Sequence, residues 1–111
     1  RWLNGPEPVE LGPGLTCWPT PGHTEGSACL HVDNKYLFSG DTLAWSRELD
    51  QIYAFRRACW HDWSVLLESI ERIKSLPFEW ILPGHGSPGE LMKGTSLGEM
   101  ERCLSWMRLQ V

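Results

Sequence analysis

Apolar residues along this chain form short runs in its first third and one long stripe of helical period in its middle. Runs at 15–19, 27–32 and 36–39 are separated by turns rich in Pro, Gly or Asn, which predicts three strands. The Asp-Asn-Lys stretch at 33–35 predicts a tight hairpin between the second and third strands. Residues 1–14, rich in Gly, Pro and Glu, predict an irregular lead-in.

The clearest helix is predicted at 62–76, with Asp62 as N-cap and Pro77 as the stop. Its apolar stripe consists of Trp63, Leu66, Leu67, Ile70, Ile73 and Leu76. A loop with a short extended piece at 51–55 precedes it, and a short buried strand within "EWILPGHG" follows it. A second helix begins near Ser96 with a capping box to Glu99, and one face of it is expected to carry Leu97, Met100, Leu104 and Met107. This order predicts an α/β (α+β) fold.

Composition narrows the class of protein. A chain of 111 residues is one domain or part of one, and no apolar run approaches the length that spans a bilayer. The net charge is −4 and Arg56-Arg57 is the only adjacent basic pair, which argues against a nucleic-acid partner. Four cysteines without a C-x-x-C spacing are interpreted as small buried apolar groups in a reducing compartment.

Three turns at strand ends contain residues that could hold a metal. They are "PGHTEGS" with His23, "SGDTL" with Asp41 and "PGHGSP" with His85. Glycine lets each turn bend sharply, and imidazole and carboxylate are suitable ligands for zinc, iron or manganese. Each motif alone is more often an ordinary turn or helix cap. Together, in the order His, Asp, His, they predict part of a metal site.

In that order the motifs resemble the third, fourth and fifth metal-binding motifs of the metallo-β-lactamase superfamily, over residues 16–106. The resemblance implies an αββα sandwich, of which this chain would be the C-terminal half, with metals at the sheet edge between the halves. It implies that His23 binds the first metal and His85 the second. Asp41 would bridge both metals and act in catalysis.

The resemblance is incomplete. The family's first motif, His-x-His-x-Asp-His, has no counterpart among the 111 residues, and neither His31 nor His61 matches a family ligand. The chain is therefore expected to carry half of a site and to hydrolyse little or nothing alone.

A complete site would hold two zinc ions, with iron or manganese as alternatives, and would act through a metal-bound hydroxide formed near neutral pH. The gap of 44 residues between Asp41 and His85 leaves no room for the large inserted domain of the family's nuclease branch, and the net acidity agrees, so the expected substrate is a small ester, thioester or lactone. Candidate substrate-binding residues in and after the loop are Trp45, Tyr53, Arg56 and Arg57, with a solvated loop as the alternative. The arginine pair would suit an anionic small molecule, such as a carboxylate or a phosphate ester.

A half sandwich would leave one apolar sheet face uncovered, so the expected partner is the missing N-terminal half or a second copy. The stretches "GDTLAWSRELDQIYAF", "CWHDW" and "FEWILPGHG" resemble a plant and cyanobacterial branch, which implies a chloroplast or a bacterial cytoplasm. Two other functions stay open. One is a non-catalytic binding or structural module of the same fold, and the other is a di-iron redox protein with a flavin partner.

Overall fold

A computed structural model describes residues 7–24, 26–55 and 62–110. Over these ranges the chain forms a six-stranded sheet in the order β1-β2-β3-β4-β7-β8, a two-stranded sheet of β5 and β6, and two helices. The elements are β1 (Val9–Gly12), β2 (Leu15–Pro19), β3 (Ala28–Val32), β4 (Tyr36–Gly40), β5 (Ala44–Ser46), β6 (Gln51–Tyr53), α1 (Trp63–Ile73), β7 (Trp80–Pro83), β8 (Gly89–Glu90) and α2 (Ser96–Arg108).

Strands β1 to β4 form an antiparallel meander, and β7 pairs in parallel with β4. The β3–β4 hairpin turns through Asp33 and Asn34, whose φ values of 54° and 51° are left-handed, as the Asp-Asn pair predicted. The mixed α/β class and the predicted strands are thus confirmed. The prediction of an irregular lead-in is wrong at 9–12, because β1 pairs there with β2.

Helix α1 begins where the sequence predicted. The Asp62 carboxylate accepts hydrogen bonds from the backbone of Ser64 (2.8 Å) and Val65 (3.1 Å), as an N-cap should. The helix ends at Ile73, three residues earlier than predicted, and Leu76 continues the chain toward Pro77 outside the helix.

Helix α2 begins differently from the prediction. Thr95 is the N-cap residue, and the Ser96 hydroxyl accepts a hydrogen bond from the backbone of Phe78 (3.3 Å) and donates one to the carbonyl of Leu76 (3.4 Å). The capping box of Ser96 with Glu99 is therefore wrong, because Ser96 is buried against the chain before β7. Leu97 is 46% exposed, and the buried face of α2 consists of Ser96, Met100, Cys103, Leu104 and Met107.

Both helices pack on one face of the large sheet. Cys29, Leu37 and Ile81 point from β3, β4 and β7 into a single core with residues from α1, α2 and β6. The pairing register places a second set of residues on the opposite face. We call this second set the open face, and it consists of Val9, Leu15, Cys17, Pro19, Ala28, Leu30, Val32, Tyr36, Phe38, Trp80, Leu82 and Glu90.

The open face is apolar or aromatic except for Glu90 at the β8 edge, and none of its residues belongs to the core cluster. Phe38, near its middle, is 42% exposed. Of the described tryptophans, only Trp80 lies on this face. Among the described residues, neither helix is long and apolar enough to cross a membrane.

The turn after β2 lies against α1 so closely that Gly22 has no room for a side chain. Gly22 has a φ of 139°, and a Cβ there would lie 2.3 Å from the Cβ of Leu66 and 2.4 Å from its Cα. The Gly22→Ala variant should therefore lose about 2 kcal/mol or more of unfolding free energy. Urea unfolding monitored by circular dichroism measures this loss.

Gly98 provides the matched control. It lies exposed in α2, and a Cβ there would meet nothing within 4 Å. Gly98→Ala should raise the unfolding free energy by about 0.5–1 kcal/mol, because alanine is the better helix former. Similar effects of the two alanines would contradict this account of the turn.

Candidate metal centre

The three predicted ligands follow strands that run in the same direction. Two antiparallel pairings make β2 parallel in direction to β4, and β4 is directly parallel to β7. The carboxyl ends of these three strands therefore lie at one edge of the sheet. His23 follows β2, Asp41 follows β4 directly, and His85 follows β7, so the topology gathers all three turns at that edge.

Both histidines approach the Asp41 carboxylate. His85 Nδ1 donates a hydrogen bond to Asp41 Oδ1 at 2.5 Å, and His23 Nε2 lies 4.0 Å from Asp41 Oδ2. The side chain of His23 is 12% exposed, that of Asp41 44% and that of His85 82%. The site is thus sheltered from solvent at His23 and open to solvent at His85.

The backbone holds the Asp41 and His85 turns against each other. The amide of Gly84 donates to the carbonyl of Gly40 at 2.8 Å, one step beyond the paired strands. Gly40 has a φ of 54°, a conformation that glycine adopts without strain. This bend directs Asp41 toward the His85 turn.

The three side chains fit a divalent metal in donor type. Two imidazoles and a carboxylate are suitable ligands for zinc. A ligating histidine commonly donates a hydrogen bond from its other ring N–H to a carboxylate, as His85 Nδ1 does to Asp41 Oδ1. The distances among the three side chains, however, are not those of a complete metal site. Within residues 7–24, 26–55 and 62–110, no group of three His, Cys, Asp or Glu side chains is arranged to hold an ion.

The predicted substrate-binding residues lie in different places. Trp45 in β5 bonds through its amide to the carbonyl of Ser87, two residues after His85, at 2.9 Å. Tyr53 in β6 makes edge contacts with Phe55 and Trp106, at centroid distances of 4.9 and 6.1 Å. Both residues are partly buried, and their role in substrate binding stays a prediction. Arg56 and Arg57 lie outside the described residues.

Trp45 also lines a cleft of about 280 Å³ with charged walls. Three carboxylates and one guanidinium border it, those of Asp50, Glu90, Glu99 and Arg102. The cleft therefore has a net negative charge, which would repel an anionic substrate. It gives no support to the interpretation that the arginine pair binds an anionic small molecule.

His31, the other described histidine, has a structural role. Its Nε2 lies 2.6 Å from the carbonyl of Pro77 and its side chain is buried between β3 and the chain before β7. This agrees with the sequence, which matched His31 to no ligand motif. His61 lies outside the described residues.

Two threonines beside the predicted ligands were missed by the sequence analysis. Thr20 and Thr42 are 0% and 1% exposed, and their hydroxyls lie 3.2 Å apart. The available signal was their position, since Thr20 precedes the Pro-Gly-His turn and Thr42 follows Asp41. Their side chains connect the two turns.

The described cysteines are buried, as predicted. Burial raises the pKa of Cys29 to about 11, against weaker hydrogen bonds from Thr20 and Thr42 that lower it. Burial likewise raises the pKa of Cys103 to about 12 and that of Cys17 above its ordinary value. These thiols are neutral near pH 7 and are not the thiolates that bind metals or attack substrates. Cys59 lies outside the described residues.

Solved structures resemble this chain over nearly all of its length. It matches an archaeal metallo-β-lactamase superfamily protein from Sulfolobus tokodaii with 24% identity and a TM-score of 0.61, covering 96% of this chain and 38% of that one. A metallo-β-lactamase family protein from Thermus thermophilus matches with 21% identity and a TM-score of 0.59, covering 97% of this chain and 35% of that one. The DIM-1 metallo-β-lactamase matches with 17% identity and a TM-score of 0.65, covering 98% of this chain and 47% of that one.

The fold is therefore that of the metallo-β-lactamase superfamily, present here as a fragment. The chain spans less than half the length of these three structures. The superfamily resemblance is confirmed at the level of the fold, and the plant and cyanobacterial branch stays a prediction. No protein-family model and no curated protein matches the sequence.

The cysteine pKa values predict chemical behaviour. At pH 8, iodoacetamide should leave Cys17, Cys29 and Cys103 of the folded chain unmodified, because burial keeps the thiols protonated and shielded. Peptide mass spectrometry measures the modification of each residue. The same reaction in guanidinium chloride is the control and should label all three, and labelling of Cys29 in the folded chain would contradict the buried arrangement.

Proposed function

We propose that this chain is the C-terminal half of a metal-dependent hydrolase that acts on a small ester, thioester or lactone. The observation that carries the proposal is the approach of His23 and His85 to the Asp41 carboxylate at one sheet edge. The fold is that of a superfamily whose members generally bind metals such as zinc. Two zinc ions, or iron or manganese in their place, would occupy the completed site.

A bound metal supplies a Lewis acid and lowers the pKa of a bound water to about 7. His23 and His85 would each present a ring nitrogen, and Asp41 would present its carboxylate between them. His23 is held by its sheltered position in the β2–β3 turn. His85 is exposed, and its hydrogen bond to Asp41 fixes the ring and leaves Nε2 free to bind.

The β5–β6 hairpin lies beside the His85 turn and is the proposed substrate side of the site. Trp45 is tied to that turn through Ser87. Phe55 also reaches it, because a Cβ on Gly86 would lie 3.1 Å from the Phe55 ring. Tyr53 packs on Phe55, so Trp45 and Tyr53 could shape the space next to His85 for a small-molecule substrate.

The open face supports a protein partner. An apolar sheet face of this extent, with Phe38 42% exposed, is typical of an interaction surface. The first candidate is the N-terminal half that a complete αββα sandwich would have. A second copy of the chain is the other.

The non-catalytic module remains the second candidate function. It is favoured by one observation, that within the described ranges no three side chains form a ready metal set. The two candidates differ in what they expect of Asp41.

Zinc titration of the metal-free chain tests the proposal. The wild-type chain should bind one ion weakly, and Asp41→Asn should weaken binding by about tenfold or more, since the amide lacks the charge of the ligand. Asp33→Asn is the control, because Asp33 is exposed in the β3–β4 hairpin at a φ of 54°, which asparagine adopts readily. Isothermal titration calorimetry measures both affinities.

The outcomes separate the hypotheses. Equal zinc binding by wild type and Asp41→Asn, or no binding by either, would refute the metal site and leave the non-catalytic module. Tightly held iron with visible absorbance in the purified chain would instead favour the di-iron redox protein.

Association through the open face has its own test. The wild-type chain should self-associate in sedimentation velocity as concentration rises, and Phe38→Glu should abolish this, because a charge would be buried in the contact. Leu109→Glu, at a residue 81% exposed beyond the end of α2, should associate as the wild type does. A wild-type monomer at the highest soluble concentration would count against the partner surface.

A further inference from the structure

The buried pair of Thr20 and Thr42 joins two turns that the sheet does not join. Thr20 immediately follows β2 and Thr42 lies just beyond β4, and β3 runs between these strands. Neighbouring strands lie about 4.8 Å apart, so β2 and β4 are separated by roughly 10 Å. The 3.2 Å contact between the two hydroxyls spans that gap across the beginning of β3.

Each threonine is fixed within its own turn by the main chain. The amide of Thr20 donates to the carbonyl of Ser27 at 2.8 Å, which closes the turn that contains His23. The amide of Thr42 donates to the carbonyl of Ser39 at 2.9 Å, which closes the turn that contains Asp41. Displacement of one hydroxyl would therefore carry a whole turn with it.

The pair belongs to a chain of polar contacts that ends at the carbonyl of Ser39. The Thr20 hydroxyl lies 3.6 Å from the Cys29 sulfur, and the Cys29 thiol points at the carbonyl of Ser39 at 3.9 Å. One ordering of donors satisfies every group, from Thr42 to Thr20, from Thr20 to Cys29, and from Cys29 to Ser39. Because burial keeps the Cys29 thiol protonated, it can serve as the final donor.

Stability alone gives little reason for such a pair. Two buried hydroxyls that satisfy each other contribute about as much as two apolar groups of the same shape, so valine at both positions would serve the core equally well. What valine cannot supply is a directional contact that fixes the distance between the turns. The adjacent residues that need a fixed distance are the predicted ligands His23 and Asp41.

We propose that Thr20 and Thr42 are positioning residues that set the separation of His23 from Asp41. The hydroxyl contact holds the His23 and Asp41 turns together, as the hydrogen bond from Gly84 to Gly40 holds the Asp41 and His85 turns together. This assignment deepens the proposed function and rests on it for the identity of the bound ion. The separation of the two turns is a property of the metal-free chain as well.

Valine and serine variants test the pair. Thr20→Val or Thr42→Val leaves the partner hydroxyl unsatisfied, the double valine variant removes both hydroxyls, and Thr20→Ser and Thr42→Ser keep the contact as matched controls. The first readout is the set of nuclear Overhauser contacts between the His23 ring and the Asp41 turn in the metal-free chain. The second is zinc affinity by calorimetry, and the third is the melting temperature.

If the pair has a positioning role, the melting temperature should not change in parallel with the Overhauser contacts and the zinc affinity. The single valine variants should lose the Overhauser contacts, bind zinc about tenfold or more weakly and melt at a lower temperature. The double valine variant should recover the melting temperature without recovering the contacts or the affinity. The serine variants should keep the wild-type contacts and affinity.

Two outcomes would be decisive against parts of this account. Wild-type Overhauser contacts in the double valine variant would overturn the positioning role, whatever the zinc affinity. Loss of those contacts in the valine variants, in a chain whose wild type binds no zinc, would uphold the positioning role and remove the metal from the proposed function.

Discussion

The candidate centre depends on one constraint, that three strands of the same direction end at one edge of the sheet. The bond from Gly84 to Gly40, at 2.8 Å, carries the β4–β7 pairing one step past the strands and holds the Asp41 and His85 turns together. The histidine–carboxylate contact forms at the end of that pairing. Strands β2 and β4 are not adjacent, so their turns are joined by a contact between the Thr20 and Thr42 hydroxyls and not by a main-chain hydrogen bond.

The parts of the sheet serve separate purposes. On its helix-covered face, His31 has a partner in the carbonyl of Pro77 and Ser39 in that of Leu43, whereas the buried indole nitrogen of Trp18 has no partner among the described residues. The open face is mostly apolar, with Glu90 at its β8 edge, and its central Phe38 is partly exposed. The candidate metal ligands thus lie at one edge of the sheet, the helix-covered face forms the core, and the open face is the proposed partner surface.

Elements with strong local signals were predictable from the sequence. The hairpin at Asp33–Asn34, the N-cap at Asp62 and each of the turns that contain His23, Asp41 and His85 depend on residues close together in the chain. Strands β1, β5 and β8 have two to four residues each and are defined by their pairing partners, so no local pattern marks them. Ser96 and the Thr20–Thr42 pair escaped for the same reason, because their contacts reach residues 18 to 22 positions away.

The parallel pairing of β4 with β7 also bears on how the chain folds. Residues 36 and 80 form one rung of that ladder, so a long loop must close around α1 before the rung can form. The β2–β4 meander and α1 are local and can form first, whereas non-local pairing is slow. We therefore expect the edge that gathers the three candidate ligands to be completed late in folding, after the hairpins and the crossover helix are in place.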